Sequence, residues 1–262
     1  VRRKPMIMRP ATLFFHDGLA DLLDRRHCHR DAPGLVLYPV TRRASIKDII
    51  EALGPPHTEV GDIKADGLPV GFGHLLQPGQ EVHVRPVYPP LDVLRPSPLR
   101  PSPLPRLAFL ADANVGRLAT LLRALGFDTA YDRNLDDAQV AGLAETQGRV
   151  VLTRDRSLLK RRAIDYGYLI RPDDPQDQLL AVLRFFGLRP PFPAFTRCPC
   201  CNARLDPVPK ADIIDRLLPL TRLHYAEFRL CPQCDKIYWP GSHRDHMQAR
   251  IEDLARRLDG QE

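Results

Sequence analysis

Hydrophobic and polar residues alternate along the first part of the chain in the pattern of short β-strands. Segments rich in β-branched and aromatic residues predict strands at 11–16 (ATLFFH), 35–40 (LVLYPV) and 81–87 (EVHVRPV). The apolar spacing of 45–53 predicts a short helix, and Ser45 followed by Asp48 resembles the capping box that begins a helix. Asp66-Gly67 lies between two short apolar runs and is a dipeptide typical of hairpin turns.

This order of two strands, one helix and further strands predicts an α+β domain of the β-grasp (ubiquitin-like) type over residues 1–87. The stretch 17–34 is then a long insertion for that fold. Modifiers and sulfur carriers of this type act through a free C-terminal Gly-Gly, whereas the last strand here runs into RPVYPP and continues. We therefore expect a binding or positioning module rather than carrier chemistry.

Apolar runs and helical spacing alternate through residues 106–190 and predict a second fold. The predicted strands are LAFLA (107–111), DTAY (128–131), VVLT (150–153) and YLI (168–170). The predicted helices cover 115–126, 135–148, a charged stretch after the third strand, and 175–187. Strands that alternate with helices imply a parallel sheet with helices on both faces, which is an α/β fold.

Proline marks the boundary between these two folds. Residues 86–105 contain eight prolines and the tandem repeat RPSPL-RPSPL at 95–104. This density predicts an extended, semi-rigid spacer that cannot pack into a core, so we expect a linker over 88–105. A weaker boundary at RPPFP (189–193) precedes a C-terminal unit, 191–262, that holds all but one of the cysteines.

Composition and charge exclude some classes of protein but do not indicate a particular function. Apolar residues make up 44% and charged residues 27% of the chain, as in folded proteins rather than disordered or fibrous ones. No apolar run approaches the roughly 18 residues of a membrane span, and VRRKPMIMRP leads into no signal-peptide core. A cytoplasmic location without a membrane partner is therefore expected. The net charge of +6 permits a polyanionic partner but is spread evenly.

The predicted α/β domain lacks most side chains used in nucleophilic catalysis. Between residues 106 and 190 there is no His, no Cys and a single Ser, Ser157, so neither a Ser-His-Asp nor a Cys-His system can be assembled there. No glycine-rich phosphate cradle is present either. Carboxylates remain, and they follow the predicted strands or begin the next helix: Asp112, Asp132, Asp136, Asp137, Asp155, Asp173 and Asp174.

Aspartates at the carboxyl ends of parallel strands can form a site, because those ends meet at one edge of an open sheet. Clustered carboxylates repel one another unless a hard cation such as Mg²⁺ or Mn²⁺ binds them. The alternative is that each aspartate caps the helix that follows it, and this role fits any single one of them better. Four strand ends in succession, with other catalytic residue types missing, favour a metal site for the set.

Two CxxC motifs in the C-terminal unit predict a structural zinc site. Cys198 and Cys201 form the first motif, Cys231 and Cys234 form the second, and 29 residues separate them, a length that a hairpin could absorb. Four thiolates at this spacing bind Zn²⁺ in tetrahedral geometry, and disulfides, the alternative, are uncommon in the expected compartment. Cys200 is expected to be a spare thiol, although it could replace Cys201.

Longer motifs resemble a known nuclease family. The segments FLADANVGRLATLLRALGFDT, GRVVLTRDRSL, FTRCPCCNARL and CPQCDKIYWPGSH are similar to the Mut-7 C-terminal RNase family, a branch of the PIN-like nucleases with a fused zinc ribbon. The β-grasp-like unit resembles the ubiquitin-like domain often fused ahead of that family. The resemblance implies a PIN-like parallel-sheet domain at 106–190, followed at 191–262 by a zinc ribbon and a C-terminal helix.

The resemblance also implies roles for particular residues. Asp112 and Asp155 become the surest Mg²⁺ or Mn²⁺ ligands. Asp136 or Asp137 becomes the third ligand, and Asn114 orients the site. The candidates for the fourth acidic residue that is usual in PIN-like sites are Asp132, Asp173 and Asp174.

RNA is the expected partner, with a tRNA or another structured RNA as a candidate substrate. The residues expected to contact RNA are Arg154, Trp239, His243 and Arg244. Tyr238 and Trp239 could offer a stacking surface for bases, but packing of Trp239 over the zinc knuckle is the favoured interpretation. The sequence thus predicts a metal-dependent ribonuclease that hydrolyses phosphodiester bonds. The alternative is a non-catalytic RNA- or protein-binding adaptor that keeps the PIN-like fold.

Overall fold

Two compact units organise the chain, of which the computed structural model describes residues 9–27, 31–239, 253–258 and 260. The first unit combines Val1–Arg106 with Asp137–Leu169, and the second combines Leu107–Asp136 with Ile170–Glu262. Residues 137–169 of the α/β region therefore pack with the N-terminal region. The domain boundaries given above stay predictions, because a compact unit can include segments of more than one domain.

A five-stranded mixed sheet forms the N-terminal part of the first unit. Its strands are β1 (Ala11–Phe15), β2 (Leu35–Tyr38), β3 (Val60–Ala65), β4 (Leu68–Pro69) and β5 (Glu81–Pro86). Their order is β2-β1-β5-β3-β4, in which β1 and β5 are parallel and the other neighbours are antiparallel. This order, with one helix between β2 and β3, confirms the predicted β-grasp arrangement.

Local sequence signals set the helix and the hairpin of this domain. Helix α1 (Ile46–Leu53) begins after Ser45, whose Oγ accepts a hydrogen bond from the backbone N–H of Asp48 at 3.1 Å. The hairpin between β3 and β4 turns through Asp66 and Gly67, which have φ values of 49° and 80°. The 17–34 insertion contains two 3-10 helices, Asp17–Leu22 and Arg25–His27.

The proline-rich segment packs into the first unit instead of standing free of it. Val93 and Leu99 are buried, and Arg100 is only 6% exposed. The Arg100 guanidinium donates to four carbonyl oxygens at 2.9–3.0 Å, those of His57, Thr58, Val60 and Asp165. The expectation of a spacer that cannot pack into a core is therefore wrong. Prolines fix the backbone, but the side chains between them remain available for burial.

Strands and helices alternate through the α/β region. The strands are β6 (Phe109–Ala111), β7 (Thr129–Tyr131), β8 (Val150–Thr153) and β9 (Gly167–Leu169). The helices are α2 (Gly116–Ala124), α3 (Asp137–Gln147), α4 (Arg156–Leu159) and α5 (Pro175–Phe185). In the second unit β6 pairs with β7, in the first unit β8 pairs with β9, and both pairs are parallel. The predicted parallel-sheet α/β fold is confirmed.

Two details of this region refine the prediction. The charged stretch after β8 forms only the single turn of α4, and residues 160–166 form turns and bends before β9. Gly126, the last residue of the helix predicted over 115–126, adopts a φ of 92°, and a Cβ atom there would lie 2.0 Å from the carbonyl oxygen of Pro193. Glycine is therefore required both for the backbone conformation and for the close approach of the two segments.

A small antiparallel sheet forms the C-terminal part of the second unit. Its strands are β10 (Asp206–Val208), β11 (Phe228–Leu230) and β12 (Ile237–Tyr238), in the order β10-β11-β12. Helices α6 (Lys210–Ile213) and α7 (Pro219–His224) lie between β10 and β11. The 29 residues between the CxxC motifs are thus absorbed by two short helices as well as by the sheet.

Candidate functional site

Asp112 follows β6 directly and caps the 3-10 helix Ala113–Val115. Its Oδ1 accepts the backbone N–H of Ala113 at 2.6 Å, and its Oδ2 accepts an Nδ2–H of Asn114 at 2.6 Å. All of β6 is buried, whereas Asp112 is half-buried, so the carboxylate lies where the strand leaves the core. Asn114 thus holds one oxygen of the carboxylate that the resemblance expects it to orient.

Asp155 lies two residues beyond β8 and caps α4. Its Oδ1 accepts both the backbone N–H of Ser157 at 2.7 Å and the Ser157 hydroxyl at 2.6 Å, and its own N–H donates to Thr153 Oγ1. Partial burial raises the pKa of Asp155, but the hydrogen bonds from Ser157 and Leu158 and the charge of Arg161 outweigh it, so this pKa lies below its ordinary value. Asp155 is therefore ionised at neutral pH.

Two more of the acidic candidates, Asp132 and Asp174, accept hydrogen bonds from residues that follow them closely in the chain. Asp132 Oδ1 accepts the backbone and side-chain N–H groups of Asn134 at 2.9 and 3.1 Å. Asp174 caps α5 by accepting the first backbone N–H groups of that helix. The capping role that the sequence offered as an alternative is thus confirmed for Asp112, Asp155 and Asp174.

The last acidic candidates lie around the start of α3 and before α5. Asp137 is the first residue of α3, and its Oδ2 lies 3.3 Å from Nη2 of Arg161. Asp136 and Asp173 are exposed. Over the described ranges, no group of three or more acidic side chains lies close enough together to share an ion. The choice between Asp136 and Asp137 as a third ligand stays a prediction.

The four cysteines of the CxxC motifs converge on one point. Their sulfur atoms all lie within 4.8 Å of one another; Cys198 Sγ is 3.6 Å from Cys234 Sγ, and Cys201 Sγ is 3.3 Å from Cys231 Sγ. A disulfide requires an S–S distance of about 2.05 Å. Tetrahedral Zn–S bonds of about 2.3 Å separate sulfurs by roughly 3.8 Å. The geometry therefore fits one zinc ion and not two disulfides.

Neighbouring groups favour the thiolate form at Cys198, whereas burial and the adjacent thiols raise the pKa of Cys201 and of Cys234. Burial raises the pKa of Cys198, but the hydroxyl of Tyr238, 3.0 Å from its sulfur, and the backbone N–H groups of Cys201 and Cys200 lower it to about 6. Cys200 itself lies outside the cluster. Its side chain is exposed, and its sulfur accepts a hydrogen bond from Lys236 Nζ at 3.3 Å. Cys201, and not Cys200, therefore completes the cluster.

The first CxxC loop, Cys198–Cys201, is attached to α2 and β7 by residues that sequence reasoning missed. Arg123 is 4% exposed, and it donates to the carbonyl oxygens of Thr129 at 2.7 Å and Cys200 at 2.8 Å. Asn202 accepts the N–H of Thr129 at 3.0 Å and donates to Asp128 at 2.9 Å. Asn202 has a φ of 71°, and an Asn directly after a CxxC motif was the one sequence signal for this turn.

Two of the residues expected to contact RNA can be placed. Arg154 is exposed, directly after β8. Trp239 packs beside Phe228, with ring centroids 6.4 Å apart, and lines an open cavity of about 720 Å³. Tyr238, rather than Trp239, packs against the cysteines, so the expected packing of Trp239 over the zinc knuckle is wrong. The other two candidates, His243 and Arg244, lie outside the described residues.

Comparison with protein families gives a match for two parts of the chain. Residues 107–251 match the Mut7-C RNAse domain, and residues 8–92 match the Mut7-C ubiquitin domain. No curated protein and no solved structure matched the chain. No helix in the part of the chain that the structure describes is long and apolar enough to cross a membrane. Because the RNAse match spans more than half of the residues and follows the ubiquitin-like match, the chain belongs to the Mut7-C RNAse domain family, with its ubiquitin-like domain in front.

Proposed function

We propose that this protein is a metal-dependent ribonuclease that hydrolyses RNA phosphodiester bonds. The observation that carries the proposal is the match of residues 107–251 to the Mut7-C RNAse domain, which supports a nuclease-like role. Two acidic residues add chemical support. Asp112 and Asp155, which the family resemblance assigns to the metal, each follow a buried strand and remain half-buried themselves.

Asp112 and Asp155 are the proposed ligands of a Mg²⁺ or Mn²⁺ ion, with Asp136 or Asp137 as the third ligand. Hydrogen bonds from the residues that follow Asp112 and Asp155 fix the direction of each carboxylate. The lowered pKa of Asp155 keeps the negative charge that a hard cation requires. When bound, such a cation activates water and offsets the charge of a phosphate under attack.

The RNA is proposed to approach along basic and aromatic side chains. Arg154 is exposed beside Asp155, and a guanidinium presents paired donors that match phosphate oxygens. Trp239 borders an open cavity whose aromatic lining suits an unstacked base. With His243 and Arg244, these residues form the proposed RNA contacts, and a tRNA or another structured RNA is the proposed substrate class.

A second metal, Zn²⁺, is proposed to have a structural role. Cys198, Cys201, Cys231 and Cys234 supply four sulfurs at a spacing that suits tetrahedral coordination and leaves no position for a substrate. We further propose that the protein acts in the cytoplasm, where thiols stay reduced and available to zinc.

A non-catalytic adaptor is the second candidate function, and one observation favours it. Asp112, Asp155 and Asp174 each cap a helix, so these carboxylates have a structural use that requires no metal. An adaptor would keep the caps and bind RNA or protein without cleaving it.

Cleavage of a labelled single-stranded RNA in Mn²⁺ or Mg²⁺ separates the two functions. Asp112→Asn keeps the shape and the cap acceptor but removes the charge, so we expect it to abolish divalent-dependent cleavage while RNA binding persists. Glu145→Gln, an exposed change on α3, is the matched control and should cleave at the wild-type rate. Full activity in Asp112→Asn contradicts the proposed metal site, and no cleavage by the wild type under these conditions favours the adaptor.

A further inference from the structure

Two cationic side chains at α4 donate hydrogen bonds to backbone carbonyl groups of the ubiquitin-like domain. Nη1 of Arg156, the first residue of α4, donates to the carbonyl oxygen of Leu22 at 2.9 Å. Nζ of Lys160, the residue after α4, donates to the carbonyl oxygen of Glu51 at 2.7 Å. The one-turn helix that follows Asp155 is therefore held at both of its ends by the N-terminal domain.

The two acceptors lie at helix C-termini, where a cation is most stabilising. Leu22 ends a 3-10 helix and Glu51 lies in the last turn of α1, and neither last turn contains a basic residue of its own. Carbonyl groups at such ends lack the N–H partner that the helix interior supplies four residues on, and they carry partial negative charge. The Glu51 carbonyl also accepts the N–H of Gly54 at 3.3 Å. Arg156 and Lys160 supply the missing cations from a distant part of the sequence.

The far end of the same segment is held as well. The carbonyl of Ile164 lies 2.8 Å from Nε2 of His57, a buried histidine whose Nδ1 lies 2.6 Å from Glu51 Oε1. The N–H of Leu169 donates to Oε1 of Glu59 at 3.0 Å. Residues 156–169, from α4 through β9, thus have the ubiquitin-like domain as their support at both ends.

This support bears directly on Asp155. Asp155 is the N-cap of α4, and its Oδ1 is held by the N–H and the hydroxyl of Ser157 within that helix. An isolated four-residue helix is unstable in water, because one turn cannot repay its nucleation cost. The position of α4, and with it the direction of the Asp155 carboxylate, therefore depends on contacts made from outside the helix.

We propose that the ubiquitin-like domain is a structural part of the nuclease site, in which Arg156 and Lys160 are positioning residues that hold Asp155 through α4. This inference rests on the proposed function, because it gives Asp155 a metal to bind. It predicts that loosening the contact weakens metal binding without weakening RNA binding.

The test compares the full-length double variant Arg156→Met/Lys160→Met with the wild type. The half-saturating Mn²⁺ concentration for cleavage should rise about ten- to hundredfold, as when outer groups that orient a metal ligand are removed. The KM for RNA and its salt dependence should stay unchanged. Hydrogen exchange at the amides of Ser157 and Leu158 should accelerate, while exchange in β5 stays as in the wild type.

Two further variants make the comparison specific. Arg162→Met removes an exposed cation of the same segment and should leave Mn²⁺ dependence and exchange unchanged. Lys160→Arg keeps a cation at the end of α1 and should preserve most of the metal affinity, within about threefold of the wild type.

Three results overturn the inference. The first is unchanged Mn²⁺ dependence and unchanged exchange at α4 in the double variant. The second is a higher KM with a shallower salt dependence, which would make the two cations RNA contacts. The third is faster exchange throughout the first unit, which would make them general stabilisers. If the wild type neither binds Mn²⁺ nor cleaves RNA, the proposed function fails, and the exchange data alone decide whether Arg156 and Lys160 hold the Asp155 cap.

Discussion

The cysteine cluster and the acidic residues are both sets of candidate metal ligands, yet the fold holds them in different ways. The four cysteine sulfurs lie within 4.8 Å of one another, and Cys198 and Cys231 are fully buried. Asp112 and Asp155 are half-buried, and each is held by hydrogen bonds from the one or two residues that follow it. The four cysteine sulfurs surround one common centre, whereas the direction of each aspartate carboxylate is set by hydrogen bonds to the helix that it caps.

This difference shows what each region depends on. A small three-stranded sheet offers little room for a hydrophobic core, so we expect the region around β10–β12 to depend on the proposed zinc ion for part of its folding energy. The region around Asp155 relies on hydrogen-bond donors of the protein, among them Ser157 at the cap and Arg100, which donates to the carbonyl oxygen of Asp165. We therefore expect chelators to act on the first region and loss of single donors to act on the second.

The largest expected effect is the loss of zinc. Cys231→Ser should reduce the zinc content from about one ion per chain to none and unfold the sheet β10–β12, since zinc binding to such sites is worth about 10 kcal/mol or more. Metal analysis by mass spectrometry and hydrogen exchange at β11 measure both results. Cys200→Ser, whose sulfur lies outside the cluster, is the control and should keep one zinc. A zinc-loaded Cys231→Ser protein would contradict the assignment of ligands.

Loss of a buried donor should be the next largest effect, and it falls in the other region. Arg100→Met removes the donor to four carbonyl groups, three of them in buried hydrogen bonds, and should lower the free energy of unfolding of the first unit by about 3–5 kcal/mol. Denaturant unfolding measures the loss, which should not depend on chelators. Arg95→Met, an exposed change in the same proline-rich segment, should cost less than about 0.5 kcal/mol. Equal effects of the two variants would show that the buried hydrogen bonds contribute nothing.

An intermediate effect is expected where the CxxC loop Cys198–Cys201 contacts the α/β region. Arg123→Met leaves the carbonyl groups of Thr129 and Cys200 without their donor and should cost about 2–3 kcal/mol. The variant should nevertheless retain one zinc ion, because no ligand is changed. Unfolding measured together with zinc content tests this, with Arg117→Met as an exposed control on α2. An Arg123→Met protein that loses zinc but keeps the wild-type free energy of unfolding would contradict this prediction.

The smallest effect concerns the cap of α4. Because the pKa of Asp155 is lowered on folding, its carboxylate stabilises the fold above its unfolded pKa of about 3.9, and this contribution is lost as pH falls through the folded value. Ser157→Ala removes one hydrogen bond to the carboxylate and should cost about 1 kcal/mol at pH 7.

The pH dependence identifies the source of that cost. The difference between wild type and Ser157→Ala should be constant above about pH 5 and should shrink below about pH 4, as Asp155 becomes protonated in both proteins. Unfolding curves across this range measure it. A difference that persists unchanged in acid would mean that the serine acts independently of the carboxylate.

Features set by adjacent residues could be predicted from the sequence. The Ser45 cap, the Asp66-Gly67 turn and the Gly126 helix end each depend on one or two side chains whose conformational preferences are strong. The CxxC motifs belong to the same class, because each places two thiols on one tight loop. These local signals were enough to predict the β-grasp order and the clustering of the four cysteines.

Features set by distant contacts could not be predicted. Arginine is rarely buried, so nothing in the sequence marks Arg100 or Arg123 as a buried hydrogen-bond donor. The acceptors of Arg100 lie 40 or more residues away, and one acceptor of Arg123 is the carbonyl oxygen of Cys200 in the first CxxC motif. The burial of the proline-rich segment follows from the same contacts. Likewise, the choice of the proposed third acidic ligand depends on how separate strand ends are arranged, and Asp136 and Asp137 have the same local sequence signal.

Anomalous diffraction from crystals of the full-length protein soaked in Mn²⁺ tests the central proposal, that Asp112 and Asp155 bind a divalent cation while the four cysteines bind zinc. The account predicts manganese bonded to the carboxylates of Asp112 and Asp155 and zinc among Cys198, Cys201, Cys231 and Cys234. It also predicts that manganese is lost in Asp155→Asn while zinc remains. Protein that cleaves RNA in Mn²⁺, yet shows manganese at neither aspartate, would contradict it.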